Sequence, residues 1–518
     1  MDFSQLPHVV KASILLLAAY VLYQIYVQLT LGRQRRALQY EKGTLPVPWY
    51  SGCRDRLLGL DFFRSTMKLL RERRLLEGQT ERFHEDGVNT MRVVFLGGTQ
   101  VFSTLEPENL KAIQAVDFKK WGLGDRRKNA FWPLLGVGIF TSDGKDWHHS
   151  REMLRPNFAR AQVADLDLFE RHVLHLIQAI PKDKSTVDLS DLFFKLTIDS
   201  ATEFLFGEST ESLTKNSGDG FADAFTRSQE HISDATRYGP YAKYLMKNDQ
   251  FSKDAKFVHD FVDYYVQKGL TKRSQLLAEK GDAEKQRYTF MDELVRQTDN
   301  PIRIRSELLN VLLAGRDTTA SLLTNVWFVI ARRPDIWAKL QAEVDTLNGV
   351  QPTYEQVKDM KYLRAVLNES LRLHPVVPLN SRQAQEDTTL PVGGGPDGAA
   401  PFFVKKGQFV AWNVYGMHRR KDYYGEDAEE FKPERWLDDA ETGKKGLRPG
   451  WEYLPFNGGA RICLGQQFAL TEATYTTVRL CQAFEELESR DDRPWTEMIT
   501  LTCVNLHGAK VALTPRAI

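Results

Sequence analysis

The sequence has little cysteine, almost no net charge and no obvious linker, and each shortage excludes a class of protein. Its 518 residues include four cysteines, too few and too scattered for a disulfide framework or a paired CxxC metal site. Lys and Arg number 69 against 68 Asp and Glu, which excludes a strong overall field for nucleic acid. No Pro-, Ser- or Gly-rich stretch divides the chain. We therefore expect one large globular body and judge each cysteine alone.

One long hydrophobic run is present, near the N-terminus. Residues 12–31, ASILLLAAYVLYQIYVQLTL, carry no charge, and about 20 helical residues rise roughly 30 Å, the thickness of a bilayer core. A secretory signal is the alternative. Its apolar region is usually roughly 7 to 15 residues long, however, and here Arg33, Arg35 and Arg36 follow the run. We expect residues 1–32 to be a membrane anchor, with the following body on the cytosolic side.

The segment after the anchor is short and distinct in composition. Residues 33–50 begin with basic residues and end in TLPVPW, which contains Pro46 and Pro48. Because proline fixes φ, this hinge should be stiff where the chain leaves the membrane. The remaining residues, 51–518, form the expected cytosolic domain.

Helical periodicity dominates that domain. Apolar residues three and four apart predict long helices at 251–275, 306–331, 354–373 and 466–484. Strand-like alternation predicts short strands at 89–95, 101–103, 401–404 and 408–412. The glycine cluster at 391–401 runs towards a strand, so we interpret it as a hairpin or wide turn and not a nucleotide loop. Polar stretches at 215–220 and 279–287 should be loops. The predicted fold class is mainly α with small β-sheets.

One cysteine lies in the stretch FNGGARICLGQQFALTEA, residues 456–473. Gly458 and Gly459 allow tight backbone conformations before it, and a helical pattern starts at Leu464, so Cys463 would lie beside a helix N-terminus that favours a thiolate. A lone cysteine is more often a small buried hydrophobe. The pattern FxxGxRxCxG is formed by Phe456, Gly459, Arg461, Cys463 and Gly465. This pattern resembles the haem-binding loop of the cytochrome P450 family.

A Glu–Arg pair supports the same resemblance. Glu369 and Arg372 in YLRAVLNESLRLHPVVP share a helical face, which alone is only a common surface ion pair. In the family an ExxR pair precedes the cysteine loop and is locked by a later arginine, and here FKPERW supplies Arg435. The resemblance implies that these three residues form a structural lock behind the haem, provided that the buried Glu is fully hydrogen-bonded.

The stretch LLNVLLAGRDTTASLLTNVWFVIA resembles the oxygen-binding helix of the family. Thr318 lies four residues after Ala314, so its hydroxyl can bond the Ala314 carbonyl and locally loosen the helix, where Ala314 and Gly315 leave room. The resemblance implies that Asp317 and Thr318 deliver protons for O–O cleavage. The alternative is a helix that carries Arg316 and Asp317 on a solvent face.

Further residues match family positions that bind the haem propionates. Trp147 and Arg151 in DGKDWHHSREMLRP lie four apart on one helical face, and Arg461 and Arg382 match two other such positions. The resemblance thus implies haem b with Cys463 as the axial iron ligand. Because no histidine lies in a comparable signature, we interpret four as structural or propionate-neighbouring: His148, His149, His374 and His418.

The resemblance extends over nearly the whole chain and narrows to the fungal alkane- and fatty-acid-hydroxylating branch of microsomal enzymes, with Ala460 where that branch commonly has proline. It implies an endoplasmic-reticulum, single-pass monooxygenase that uses O2 to hydroxylate a hydrophobic substrate. Since the chain has no flavin or nicotinamide signature, electrons would come from NADPH-cytochrome P450 reductase, with cytochrome b5 as a second candidate donor. We expect docking on the basic surface near the cysteine loop, with Arg155, Lys444 and Lys445 as contributors.

The substrate is open at this point. The expected pocket lining is apolar and consists of Phe131, Trp132, Leu308, Leu309, Leu312, Val376, Val377 and Leu379. It suits the terminal hydroxylation of an alkane or fatty acid, and equally a polyketide or terpenoid intermediate of a specialised pathway. Two other classes stay open: a haem protein that rearranges peroxides without a reductase, and a membrane-tethered helical binding protein with no cofactor, in which Cys463 fills the core.

Overall fold

The computed structural model describes residues 7–158, 165–215, 220–278 and 289–516. Its α-helices are α1 (His8–Leu29), α2 (Leu31–Glu41), α3 (Leu60–Arg71), α4 (Leu75–Asp86), α5 (Pro107–Lys111), α6 (Asp125–Leu135), α7 (Gly144–Leu154), α8 (Leu166–Ala179), α9 (Leu189–Phe206), α10 (Phe221–Tyr238), α11 (Ala242–Leu245), α12 (Asp249–Thr271), α13 (Arg273–Ala278), α14 (Phe290–Gln297), α15 (Pro301–Ile330), α16 (Pro334–Asp345), α17 (Tyr354–Asp359), α18 (Lys361–Leu373), α19 (Val414–Met417), α20 (Lys421–Tyr424) and α21 (Gln466–Ala483). The prediction of a mainly α fold with small sheets is confirmed.

Helix α15 is the central element of the fold. Asn300 caps it by accepting hydrogen bonds from the amides of Ile302 and Arg303, and Pro301 occupies the first helical position. Most of its 30 residues are buried, and it packs against α9, α12, α18 and α21. A helix that is buried on almost every side lies in the middle of a large core.

Two of the four predicted long helices, 306–331 and 466–484, appear as single helices, and the other two are divided. The segment 251–275 is interrupted at Lys272, between α12 and α13. The segment 354–373 breaks at Met360, whose ψ of 84° is not helical. Thr353 and Gln356 form a capping box at the start of α17. The carboxylate of Glu343 accepts from the amides of Tyr362 and Leu363 at 2.7 and 2.9 Å, and so caps α18.

The strands form four small sheets. They are β1 (Thr90–Phe95), β2 (Thr99–Thr104), β3 (Trp121–Gly122), β4 (Val187–Asp188), β5 (Leu379–Ala384), β6 (Thr388–Gly394), β7 (Ala400–Val404), β8 (Phe409–Asn413), β9 (Phe484–Ser489), β10 (Glu497–Ile499), β11 (Cys503–Asn505) and β12 (Lys510–Pro515). The sheet orders are β1-β2-β8-β5-β3, β4-β12-β9, β6-β7 and β10-β11. The glycine cluster joins β6 to β7 in an antiparallel hairpin, as predicted. The next turn joins β7 to β8, and β8 does not pair with β7 but with β5 in a different sheet.

The N-terminal helix α1 stands apart from this body. It has no buried residue, and residues 8–41 contain the one helix of the described chain that is long and apolar enough to span a membrane. Of the two predicted polar loops, residues 216–219 and the whole of 279–287 lie outside the described residues.

Candidate functional site

The loop before α21 presents Cys463 in a fixed backbone conformation. Gly459 has a φ of +58°, and a Cβ there would lie 2.0 Å from the carbonyl oxygen of Gln114, so only glycine fits. The Gly458 amide donates to the Oε1 atom of Gln114 at 2.8 Å. The Cys463 amide donates to the carbonyl of Phe456 at 3.0 Å and closes the loop. The loop therefore holds Cys463 in one position, just before the N-terminal end of α21.

Cys463 is the accessible cysteine of the chain. Cys53, Cys481 and Cys503 are buried, whereas the side chain of Cys463 is exposed. Protein atoms nevertheless surround its thiol, so that desolvation raises the pKa of Cys463 while the Gly465 amide and the charge of Arg151 oppose the rise. An accessible thiol deep in the protein lies in a recess, which is a suitable place for a ligand to a bound metal and not for core filler.

Helix α15 has a half-accessible face of small and apolar residues. Leu313, Ala314, Gly315 and Thr318 keep partial exposure in an otherwise buried stretch. The Thr318 hydroxyl donates to the Ala314 carbonyl at 2.6 Å, and the helix remains continuous around this bond. Apart from its chain neighbours and the backbone of its own helix, a Cβ on Gly315 would have no atom of the described residues within 4 Å. Small residues therefore leave open space beside the Thr318 hydroxyl.

Arg316 and Asp317 lie on the other side of the same turn. Both are buried, with 7% and 6% of their surface exposed, so the alternative of a solvent-facing polar stripe is wrong. Their side chains pair at 3.0 Å. Desolvation raises the pKa of Asp317, opposed by Arg316 and by Gln229. A buried carboxyl with a raised pKa holds a proton more readily than an exposed one does.

A cluster of buried cations lies beside the cysteine loop. The Nη2 atom of Arg461 donates to the Oδ1 atom of Asp143 at 2.6 Å, and the Nζ atom of Lys128 lies 2.9 Å from Oδ2 of the same carboxylate. Burial lowers the pKa of Arg127 and of Arg461 to about 10. It lowers the pKa of Arg382 further, because the charges of Arg461 and Arg127 add to the effect.

This cluster contains more positive than negative charge. Three guanidinium groups and one ammonium group face the single carboxylate of Asp143. The Nε atoms of Arg127 and Arg461 are buried without a hydrogen-bond partner among the described residues. Such charges are costly unless an anion neutralises them. The two carboxylates of haem b fit this requirement, and they would lie beside a cysteine that can supply a thiolate.

Trp147 and Arg151 connect the cluster to the loop. Trp147 is buried, and its ring lies 4.5 Å from the guanidinium carbon of Arg461 and 5.6 Å from that of Arg151. Arg151 donates to the carbonyl of Ile462 at 3.2 Å. Of this pair, Trp147 thus lies next to the cation cluster, whereas Arg151 contacts the backbone that positions Cys463.

The three residues of the predicted lock form one buried network. Glu369 accepts from Arg372 through both carboxylate oxygens, at 2.8 and 2.9 Å, and from the Nε atom of Arg435 at 2.9 Å. It also accepts from the amide of Lys432 and the indole of Trp436, each at 2.9 Å. With every partner in place, the buried charges are satisfied.

Part of the predicted pocket lining is wrong. Leu308 and Leu312 have no exposed surface and Leu309 has 1%, so these residues fill the core between helices. Successive helical residues are rotated by about 100°, so the face that carries Ala314 and Thr318 does not include Leu309 or Leu312. Trp132, another residue of the predicted lining, exposes about half of its surface.

Of the four histidines, His418 is buried and His374 is half-buried inside the fold. His374 and His418 are surrounded by protein and by nearby arginines, which together lower the pKa of each to about 3. The Nε2 atom of His418 accepts from the Leu454 amide at 2.9 Å, and His374 packs on Trp495. Neutral, engaged rings of this kind are structural.

The comparisons agree with this geometry. The family model described as Cytochrome P450 matches residues 69–511. Cytochrome P450 monooxygenase FPY7 of Fusarium mangiferae is 43% identical over 512 residues, covering 97% of this chain and 96% of its own. Cytochrome P450 52A12 of Debaryomyces hansenii is 45% identical over 480 residues (89% and 90%), and Cytochrome P450 52A5 of Candida maltosa is 47% identical over 437 residues (80% and 81%). The chain therefore belongs to the cytochrome P450 family of haem-thiolate monooxygenases.

Proposed function

We propose that Cys463 is the thiolate ligand of haem b in this monooxygenase. The observation that carries the proposal is an accessible thiol, alone among four cysteines, beside a cluster in which four cations share the one carboxylate of Asp143. Bound there, haem b supplies the activation of O2 that the family performs. Arg127, Arg382 and Arg461 would hold its propionates, with Trp147 beside them. Phe456, Gly459 and Gly465 shape the loop.

Two side chains of α15 are proposed to handle protons. The Thr318 hydroxyl, held by the Ala314 carbonyl, borders the space left by Gly315 and can donate or accept there. Asp317 would take up protons from the Gln229 side of the helix, because burial favours its protonated form. Asp317 and Thr318 lie on different sides of the turn, so the proposed transfer of a proton from Asp317 to Thr318 would run through water.

The substrate that we propose is an alkane or fatty acid, hydroxylated at the terminal carbon. Apolar side chains border the recess, including the half-accessible Leu313. The motifs of this chain resemble the alkane- and fatty-acid-hydroxylating branch, and the chain is 45% and 47% identical to the yeast relatives 52A12 and 52A5. An apolar N-terminal helix would bring the enzyme to substrates that dissolve in lipid.

The test supplies dodecane or lauric acid, NADPH and a fungal NADPH-cytochrome P450 reductase to the membrane-bound enzyme. Mass spectrometry should find the ω-hydroxy product, and Cys463→Ser should abolish it. If an enzyme with an intact thiolate spectrum gives no ω-hydroxy product from either substrate, the proposed substrate class is wrong.

A second substrate class has one observation in its favour. The Fusarium relative FPY7 aligns over 97% of the chain, compared with 89% for the yeast relative 52A12. We propose as the alternative the tailoring oxidation of a polyketide or terpenoid intermediate by the same chemistry. Products from a panel of such compounds, with none from dodecane or lauric acid, would select this alternative.

The cellular arrangement is also a proposal. Residues 1–32 would cross the endoplasmic-reticulum membrane once, and residues 51–518 would lie in the cytosol, where the reductase and cytochrome b5 can dock beside the cysteine loop. The arginines at 33, 35 and 36 support this orientation, because basic residues next to a membrane helix stay on the cytosolic side.

A further inference from the structure

The short helix that follows the membrane helix is tied to the catalytic body by an ion pair. The Nε atom of Arg35, in α2, lies 2.7 Å from the Oδ2 atom of Asp387, and its Nη2 atom lies 3.2 Å from Oδ1. The two side chains keep 20% and 24% of their surface exposed. Two contacts between one guanidinium and one carboxylate, both partly shielded from solvent, have a defined geometry that a single exposed charge contact lacks.

Asp387 is held in place from the side of the body. It lies in the turn between β5 and β6, and its Oδ1 atom accepts from the amide of Lys406 at 2.8 Å. Burial alone would raise the pKa of Asp387, but Arg35 and the Lys406 amide outweigh burial and lower it. The carboxylate of Asp387 is therefore ionised at neutral pH, and the Lys406 amide holds it in position to pair with Arg35.

A second set of contacts lies further along the chain, at residues 45–50. Leu45 donates to the Pro401 carbonyl at 2.8 Å, and the Pro46 carbonyl accepts from Gly395 at 3.0 Å. The Pro48 carbonyl accepts from the Arg92 amide at 2.8 Å. Residues 45–50 thus run along β1 and the β6-β7 hairpin in the manner of an added strand, with one parallel bridge between Trp49 and Arg92.

Trp49 reinforces this added strand. Its ring lies between the guanidinium groups of Arg56 and Arg92, each 4.9 Å from the ring centre. Val47, two residues earlier, is only 2% exposed. These side-chain contacts and the backbone bonds hold the end of the segment against the body.

We propose that residues 31–50 form a rigid strut that fixes the tilt of the catalytic body on the membrane, and that the chain bends at Thr30. The segment is attached at both ends, by Arg35 and by residues 45–50. Thr30 is the non-helical residue between α1 and α2, with φ and ψ of −100° and −86°. This inference rests on the proposed membrane anchoring and needs the bend at Thr30 to be fixed; the Thr30 amide and hydroxyl both donate to the Tyr26 carbonyl, at 3.0 and 2.7 Å, and hold it.

A fixed tilt has a functional consequence. A substrate dissolved in the bilayer enters only if the mouth of the recess stays at a constant depth relative to the lipid. A free hinge at 33–50 would let the body rotate and lose that alignment, whereas a strut joined to α1 by a fixed bend retains it.

The experiment measures haem tilt in full-length holoenzyme in oriented bilayers, from the polarised absorption of the haem band. Arg35→Asp and Asp387→Arg should each change the mean tilt or broaden its distribution, whereas the double variant, which restores the pair with reversed charges, should return to the wild-type tilt. Arg33→Asp is the matched control, because Arg33 is in the same helix, is exposed and makes no side-chain hydrogen bond or ion pair to the described residues.

Two outcomes overturn the strut. One is a wild-type tilt in Arg35→Asp, and the other is a changed tilt that the charge swap does not restore. The same preparations are floated with vesicles and reduced under carbon monoxide, which reports insertion and haem ligation separately. Wild-type protein that fails to float contradicts the anchor and the strut together, whereas protein that floats with unchanged tilt in Arg35→Asp contradicts the strut alone.

Discussion

Replacing Glu369 with glutamine should destabilise the enzyme far more than removing a surface carboxylate. The carboxylate of Glu369 accepts from Arg372, Arg435, Trp436 and the Lys432 amide, and both Glu369 and Arg372 are fully buried. After the substitution Arg435 keeps a carboxylate partner, Asp427 at 3.2 Å. Arg372 keeps only carbonyl groups and becomes a buried charge without an anion.

The expected loss in free energy of unfolding is about 3–5 kcal/mol, the usual cost of breaking one side of a buried ion pair. Urea unfolding of the holoenzyme, followed by far-ultraviolet circular dichroism and by the haem band, measures it. The matched control is Glu77→Gln, whose carboxylate pairs with Arg74 on the surface with about half of each side chain exposed. The control should leave the midpoint unchanged. A Glu369→Gln midpoint equal to that of the control would refute the buried-lock account.

Three more predictions concern the site and its surroundings. Thr318→Ala removes the hydroxyl beside the open space of α15, so NADPH consumption should yield more peroxide per product, and tight coupling in this variant would contradict the role. Burial raises the pKa of Glu472 from 4.5 to about 8, so the folded state keeps a proton that the unfolded chain releases. Stability should therefore fall as pH rises from about 5 to 8. The urea midpoint should fall less over this range in Glu472→Gln than in the wild type, and an equal fall would disprove this. Arg127→Met should speed haem transfer to apomyoglobin, unlike the exposed control Lys145→Met, and equal rates would exclude Arg127 from the propionate site.

The strongly periodic helices could be predicted from the sequence because their signal is local and repeated. Helix α15 is the best case, predicted at 306–331 and found at Pro301–Ile330. The missing first turn has its own signal, the Asn300 cap followed by proline, which apolar periodicity does not detect. The break at Met360 has no glycine or proline to mark it. It arises from Glu343 in another helix, which caps α18.

The residues of the site also differ in whether the sequence alone could identify them. The cysteine loop and the Ala314–Thr318 turn are short, contiguous patterns, so sequence alone could name their residues. Arg127 could not be found in this way, because it stands in the run DRRK between two other cations. Only the packing of α6 decides that Arg126 bonds the carbonyls of Thr236 and Arg237, while Arg127 is buried in the cation cluster.

The carbon monoxide spectrum of the reduced protein tests the central claim most directly. Wild-type protein should show the shifted Soret band of thiolate ligation, and Cys463→Ser should lose it while its circular dichroism shows an intact fold. Cys53→Ser, which changes a cysteine that is buried away from the loop, is the matched control and should keep the band. A colourless wild-type protein, or a Cys463→Ser variant that retains the thiolate band, would contradict the account.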